Sequence, residues 1–151
     1  MSDNWITVIP EDPRFVPDAA NQRRARDRFA AAVVAADEIE LDCSDTVQFI
    51  DCGSNFERAH CPACREDLTD WWSDRMDDDY DGSNGFALAT YAAPCCSKQV
   101  TLNDLAYEWP QGFAKFALSA RNPRVATLDE SSRHELETIL GTKLRVILRH
   151  L

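Results

Sequence analysis

The sequence predicts an α+β fold: a mixed or antiparallel sheet covered by two helices, with a cysteine-bearing segment inserted at about residues 52–102 of a single 1–151 domain. Three observations predict it. Both ends of the chain read strand–helix–strand, four of the six cysteines fall between Cys61 and Cys96, and the acidic excess is confined to the middle. With 44% apolar side chains the chain is rich enough to bury a core and too apolar to be disordered.

The first strand is Asn4–Ile9, β-branched and aromatic, stopped by Pro10. Pro10, Pro13 and Pro17 then form a stiff linker. Asp18 is placed to N-cap a helix running to about Asp37. Its apolar stripe is Ala25, Phe29, Ala32/Val33 and Ala36, with Arg23, Arg24, Arg26 and Arg28 on the wet face. An anion site is the sharper reading of those arginines, and a solvated face is the preferred one. Thr46–Asp51 reads as a second strand and Cys52–Asn55 as a turn.

Leu68, Trp71, Trp72 and Met76 share one face of a short helix; the tryptophans are expected to pack as core rather than to stack on a ligand. Phe86–Tyr91 and Gln99–Leu102 are expected as strands of a hairpin with Cys95-Cys96 at its turn. Ala114, Phe116, Leu118 and Ala120 alternate with Lys115, Ser119 and Arg121; Phe113, Phe116, Ala117 and Ala120 would also suit a helix, and a strand is preferred because the run is short and stops at Asn122-Pro123. Thr127 and Glu130 form a capping box, Leu136, Ile139 and Leu140 an apolar stripe, and Gly141 a helix stop. Lys143–Leu151 closes the chain as a strand with Leu144, Val146 and Leu148 on its dry face. No internal repeat is read in the sequence.

The net charge is −10, and residues 41–111 alone carry 14 acidic against 4 basic side chains. Metal-bound thiolates there add further negative charge. Such a surface repels phosphate backbones, which disfavours nucleic acid as a partner. No apolar run reaches membrane-spanning length, and Met1–Trp5 does not open a signal peptide, so the cytoplasm is the expected compartment. Thiols stay reduced there, and clustered cysteines indicate metal or catalysis rather than disulfides.

Cys61-Pro62-Ala63-Cys64 is the spacing of a tight knuckle. Proline fixes φ, and the turn presents both sulfurs on one side with backbone N–H groups directed at them. Cys95 and Cys96 supply two more thiols, which makes Cys61, Cys64, Cys95 and Cys96 the candidate ligands of one structural zinc. The adjacent pair is the irregular half of the set. Neighbouring side chains on an extended strand point to opposite faces, so both reach one ion only where the backbone turns. If it does not turn there, His60 or Cys52 is the candidate replacement. Plain burial suits Cys43 and Cys52 better than the clustered four.

The knuckle, together with Pro94-Cys95-Cys96 and Leu102-Asn103-Asp104-Leu105-Ala106-Tyr107, resembles small uncharacterised bacterial proteins of zinc-ribbon type. The resemblance covers the middle third of the chain and implies a zinc-ribbon-like lobe holding a structural metal, with no activity attached. The chain departs from the ribbon pattern at the adjacent cysteines and at Arg65, where glycine is common.

Other chemistry is weaker. Asp77-Asp78-Asp79-Tyr80-Asp81-Gly82 begins like a calcium loop, but Leu88 stands where the bidentate glutamate belongs, so a solvated acidic turn is preferred. His60, His134 and His150 pair with no obvious nucleophile, and four cysteines leave a zinc no open catalytic position. The expectation is therefore a non-catalytic structural-zinc protein acting as a protein–protein interaction module, whose acidic middle meets a basic partner. An immunity- or inhibitor-like role is one form of this. The alternative is a thiol-redox enzyme using Cys61-x-x-Cys64, and a nucleic-acid reading survives only through Lys143, Arg145 and Arg149.

Overall fold

A computed structural model describes residues 2–151. Four strands form one antiparallel sheet: β1 (Asn4–Pro10), β2 (Glu38–Ile50), β7 (Gly112–Arg121) and β8 (Leu144–His150), in the order β2-β7-β1-β8. Helices α1 (Ala19–Ala32) and α3 (Glu130–Leu140) cover one face of it. The remaining elements lie between β2 and β7. They are the two-residue strands β3 (Ala59–His60), β4 (Tyr91–Ala92), β5 (Gln99–Val100) and β6 (Ala106–Tyr107), helix α2 (Thr69–Asp79), and 3-10 turns at Gly82–Asn84 and Leu102–Asp104. This is the expected α+β class, with the sheet wholly antiparallel.

The period-two patterning decides which face each strand buries. Ile6 and Val8 of β1 and Phe116, Leu118 and Ala120 of β7 pack under the helices with Ala25, Phe29, Val33, Leu136 and Leu140. Burying one side chain such as Phe29 contributes about 1.5–3 kcal/mol. Asp18 caps α1 as expected, accepting from the Asn21 N–H at 2.8 Å. Arg28 is not on the wet face. It crosses to α3, donating from Nε to Glu135 at 2.6 Å and from Nη2 to Ser132 at 3.0 Å.

Four other expectations need correction. Strand β2 begins at Glu38, eight residues before the predicted start, and pairs with β7 through an irregularity between Cys43 and Gln48. Its first half carries Glu38, Glu40 and Asp42 along the sheet edge, which hides the strand from a hydrophobicity reading and discourages edge pairing. Residues 86–90 are not a strand: Phe86 makes only an isolated bridge to Tyr80, and Leu88 has a φ of 51°. The cap of α3 is Asp129, whose carboxylate accepts from Ser132 N–H, not a Thr127–Glu130 box. The other face of strand β8 is not wholly wet, since Ile147 is fully buried on the side away from the helices, between the partly exposed Arg145 and Arg149.

The middle segment packs on the sheet. Val47 and Phe113 join Ala59, Cys61, Leu68, Leu88, Ala93, Val100, Leu102 and Leu105 in a second core, with Phe49, Trp72 and Phe86 against it. A polar strap reinforces this contact. The buried Asn103 amide donates to Glu11 O and accepts from Phe113 N–H, both at 3.1 Å. Arg145 of β8 reaches into the same spot, donating to Gln111 O at 2.7 Å while its fork holds Glu11. Gly112 makes room for it, because a Cβ there would fall 2.7 Å from Arg145 Nη1.

Candidate metal centre

Cys61, Cys64, Cys95 and Cys96 converge, with all four sulfurs within 4.8 Å of one another. Cys64 and Cys95 lie 3.1 Å apart and Cys61 and Cys96 3.7 Å apart. Cys61 is fully buried, and the other three are exposed at the rim. Four sulfurs spaced this way fit a single tetrahedral thiolate-binding ion, and no other described group of histidines, cysteines and carboxylates forms such a cluster.

Two matched hairpins build the cluster. In the first, Cys61 N–H donates to Glu66 O at 2.9 Å and Arg65 N–H to Cys61 O at 3.0 Å. In the second, Ala93 N–H donates to Lys98 O and Ser97 N–H to Ala93 O, both at 2.8 Å. Arg65 and Ser97 occupy the same left-handed conformation, φ 68° and 64°. The segments therefore superpose in register: Cys61 on Ala93, Pro62 on Pro94, Ala63 on Cys95, Cys64 on Cys96. The chain contains an internal repeat that the sequence reading missed. Its signal was Pro-x-Cys, present in both Pro62-Ala63-Cys64 and Pro94-Cys95-Cys96.

The repeat explains how adjacent cysteines serve one site. The backbone at Cys95-Cys96 turns, so the strand rule that separates neighbouring side chains does not apply. Cys96 occupies the ordinary fourth position of its knuckle. The first position is the buried Ala93, and its missing sulfur is replaced by Cys95 from the third position. Restoring symmetry with the double variant Ala93→Cys/Cys95→Ala is expected to keep one bound metal per chain, whereas Cys95→Ala alone loses it; metal analysis of both proteins after gel filtration checks this.

The positions differ electrostatically. The backbone N–H groups of Cys64 and then Ala63 point at the Cys61 sulfur and lower its pKa to about 6, favouring the thiolate a metal needs. In the second hairpin the equivalent N–H groups belong to Cys95 and Cys96, and the residue they would serve is an alanine. The Cys95 thiol is pushed up instead, chiefly by its hydrogen bond with the Cys64 sulfur and then by burial.

The remaining candidates lie elsewhere. Cys52 is buried in a different cluster with its thiol 3.3 Å from Gln111 Oε1. His60 flanks the site without joining it: Nε2 lies 2.7 Å from Glu108 and Nδ1 3.2 Å from Arg65 O, which braces the first hairpin. Asp67 closes that hairpin, accepting from the Thr69 N–H at 2.9 Å, the Thr69 hydroxyl at 2.6 Å and Arg58 at 2.6 Å. These donors, the Thr69 hydroxyl foremost, hold the Asp67 carboxyl far below its ordinary range. Its stabilising effect is thus present above about pH 4 and is lost as pH falls towards the depressed folded value. Asp67→Asn is expected to flatten this acid limb of stability, as urea titrations between neutral and acid pH would read out.

The tryptophans pack as expected. Trp72 stacks on Phe56 at 4.8 Å, and Trp71 meets Tyr91 edge-on at 6.2 Å with the Arg75 guanidinium 5.9 Å from the Trp71 ring. The acidic run is not an open turn. Asp77–Asp79 close α2, and the buried Asp79 carboxylate accepts from Leu88 N–H, Ala89 N–H and the Tyr91 hydroxyl at 2.7–2.9 Å. It ties α2 to the strand that leads into the second hairpin.

Comparison with protein-family models, with curated proteins and with solved structures returned no match. The four-cysteine cluster therefore stands on its own geometry, compatible with a structural metal site. Among the described residues no helix is long and apolar enough to cross a membrane.

Proposed function

We propose that the four cysteines hold a structural zinc ion and that the protein is a non-catalytic, cytoplasmic interaction module for a basic protein partner. The observation that carries the metal part is the pairing of two equivalent hairpins around four convergent sulfurs. Four thiolates at this spacing suit zinc, close its coordination and leave no position for a substrate. A ribbon-like relationship remains a likeness of the knuckle alone.

The interaction part is supported by charge and its placement. Asp70, Asp74, Asp77 and Asp78 are carried by α2, and a cleft of about 510 Å3 lined by Glu57, Asp70, Trp71, Pro94 and the paired Arg58 and Asp67 adjoins the second hairpin. An immunity- or inhibitor-like cover for a basic surface is one form of this function. The metal then acts at a distance, holding an acidic surface in shape without contacting the partner. The nucleic-acid reading is weakened at two of its three basic residues, because Arg145 is paired with Glu11 and Arg149 with Asp51. The thiol-redox alternative meets the complete burial of Cys61, which removes one member of its dithiol from solvent.

The test is affinity capture with the metal-loaded protein at low ionic strength and at about 1 M salt, where the screening length is about 3 Å. A bound protein of basic charge, lost at high salt and from an Asp70/Asp74/Asp77/Asp78→Asn variant, is the expected result. Capture that ignores both salt and these substitutions would count against the proposal.

A further inference from the structure

We infer that the centre contains an oxidation site, the Cys64–Cys95 pair, which a hydroperoxide closes to a disulfide with expulsion of the metal. The inference rests on the metal-centre reading above and adds to it a defined modification. Three features single out this pair. Its sulfurs lie 3.1 Å apart, and both residues are exposed. Cys61 is fully buried, which shields it from oxidants in solution. Cys95 stands at the third position of its turn, exposed at the rim beside Cys64. A bond between the neighbours Cys95 and Cys96 would be strained.

The chemistry balances with hydrogen peroxide as the oxidant. The Cys95 thiolate attacks a peroxide oxygen; an S–O bond forms, the O–O bond breaks, and the departing hydroxide is protonated to water. The Cys64 thiolate then attacks the Cys95 sulfur; an S–S bond forms, the S–O bond breaks, and a second hydroxide leaves as water. The two sulfurs together lose two electrons and the two peroxide oxygens gain them. Only Cys61 and Cys96 are left as thiolates, too few to retain a tetrahedral ion. The new bond joins the two hairpins that the metal had joined. A covalent staple thus takes the place of a coordinate one, and a dithiol reductant with added metal reverses the exchange.

The experiment uses metal-loaded full-length protein carrying Cys43→Ser, which removes the exposed thiol outside the centre. Acid denaturation first counts the metal. The native protein is then titrated with hydrogen peroxide while a chromogenic chelator reads metal release, and acid-quenched samples are peptide-mapped. One metal released per Cys64–Cys95 crosslink, with Cys61 and Cys96 still reduced, is the expected result. A Cys61–Cys64 or Cys95–Cys96 crosslink overturns the inference, as does oxidation to sulfinic acid without a crosslink or full retention of metal at about tenfold excess peroxide. Any of these leaves the metal centre standing. Absence of metal in the acid-denatured protein removes the metal-centre reading, and this inference falls with it.

Discussion

Cys61→Ser is expected to abolish metal binding and to disorder the segment between β2 and β7, the largest effect of any single substitution in this protein. Cys61 is both a candidate ligand and a fully buried member of the second core. The ladders around it are two residues long, β3 with β6 and β4 with β5, and cannot hold two hairpins together unaided. Structural zinc contributes about 10–16 kcal/mol in small zinc peptides. Half of that rivals the whole stability of an ordinary domain, about 5–15 kcal/mol. Hydrogen exchange locates the loss. Amides of Cys61, Arg65, Ala93 and Ser97 are expected to exchange freely in the variant, while those of β1, β7 and β8 keep protection under α1 and α3. Unchanged protection at the hairpins would mean that packing alone holds them.

Phe113→Ala is expected to be the most damaging change outside the cysteines, costing about 3–5 kcal/mol. Phe113 has no exposed surface and sits where the sheet meets the middle segment, 5.2 Å from the Phe49 ring and 5.1 Å from the Phe86 ring. Its removal opens a cavity that the backbone cannot close, because Phe113 N–H is fixed to Asn103 and Gly112 is wedged against Arg145. A domain of this size loses about 2–4 °C of Tm per kcal/mol, so a drop of about 6–20 °C is expected in a thermal melt. Metal binding by the four cysteines is expected to weaken as well, since β2 and β7 form the platform on which the hairpins rest.

The legible parts of this chain were those where one local rule acts alone. Asp18 is a cap at the start of a helical stripe, β7 stops at Asn122-Pro123, and Gly141 stops α3 in the left-handed conformation its lack of a side chain permits. The four cysteines were legible because thiols grouped by a proline knuckle have few other uses. What failed did so for physical reasons. The first half of β2 is an acidic sheet edge, whose partner rather than its composition makes it a strand. Residues 86–90 look like a strand by composition, but the buried Asp79 carboxylate captures the Leu88 and Ala89 N–H groups that a ladder would need. The second hairpin was hidden because Ala93 stands where the first has Cys61, which only the matching hydrogen bonds and backbone conformation of the two turns bring out.

The most direct test of the metal centre is a count of metal and of reactive thiols on protein purified without added metal. One zinc per chain is expected. Of the six cysteines, Cys43 should react at once, Cys61, Cys64, Cys95 and Cys96 only after chelation, and Cys52 only on unfolding. Protein that carries no metal and shows Cys64, Cys95 and Cys96 reacting as fast as Cys43 would contradict the account.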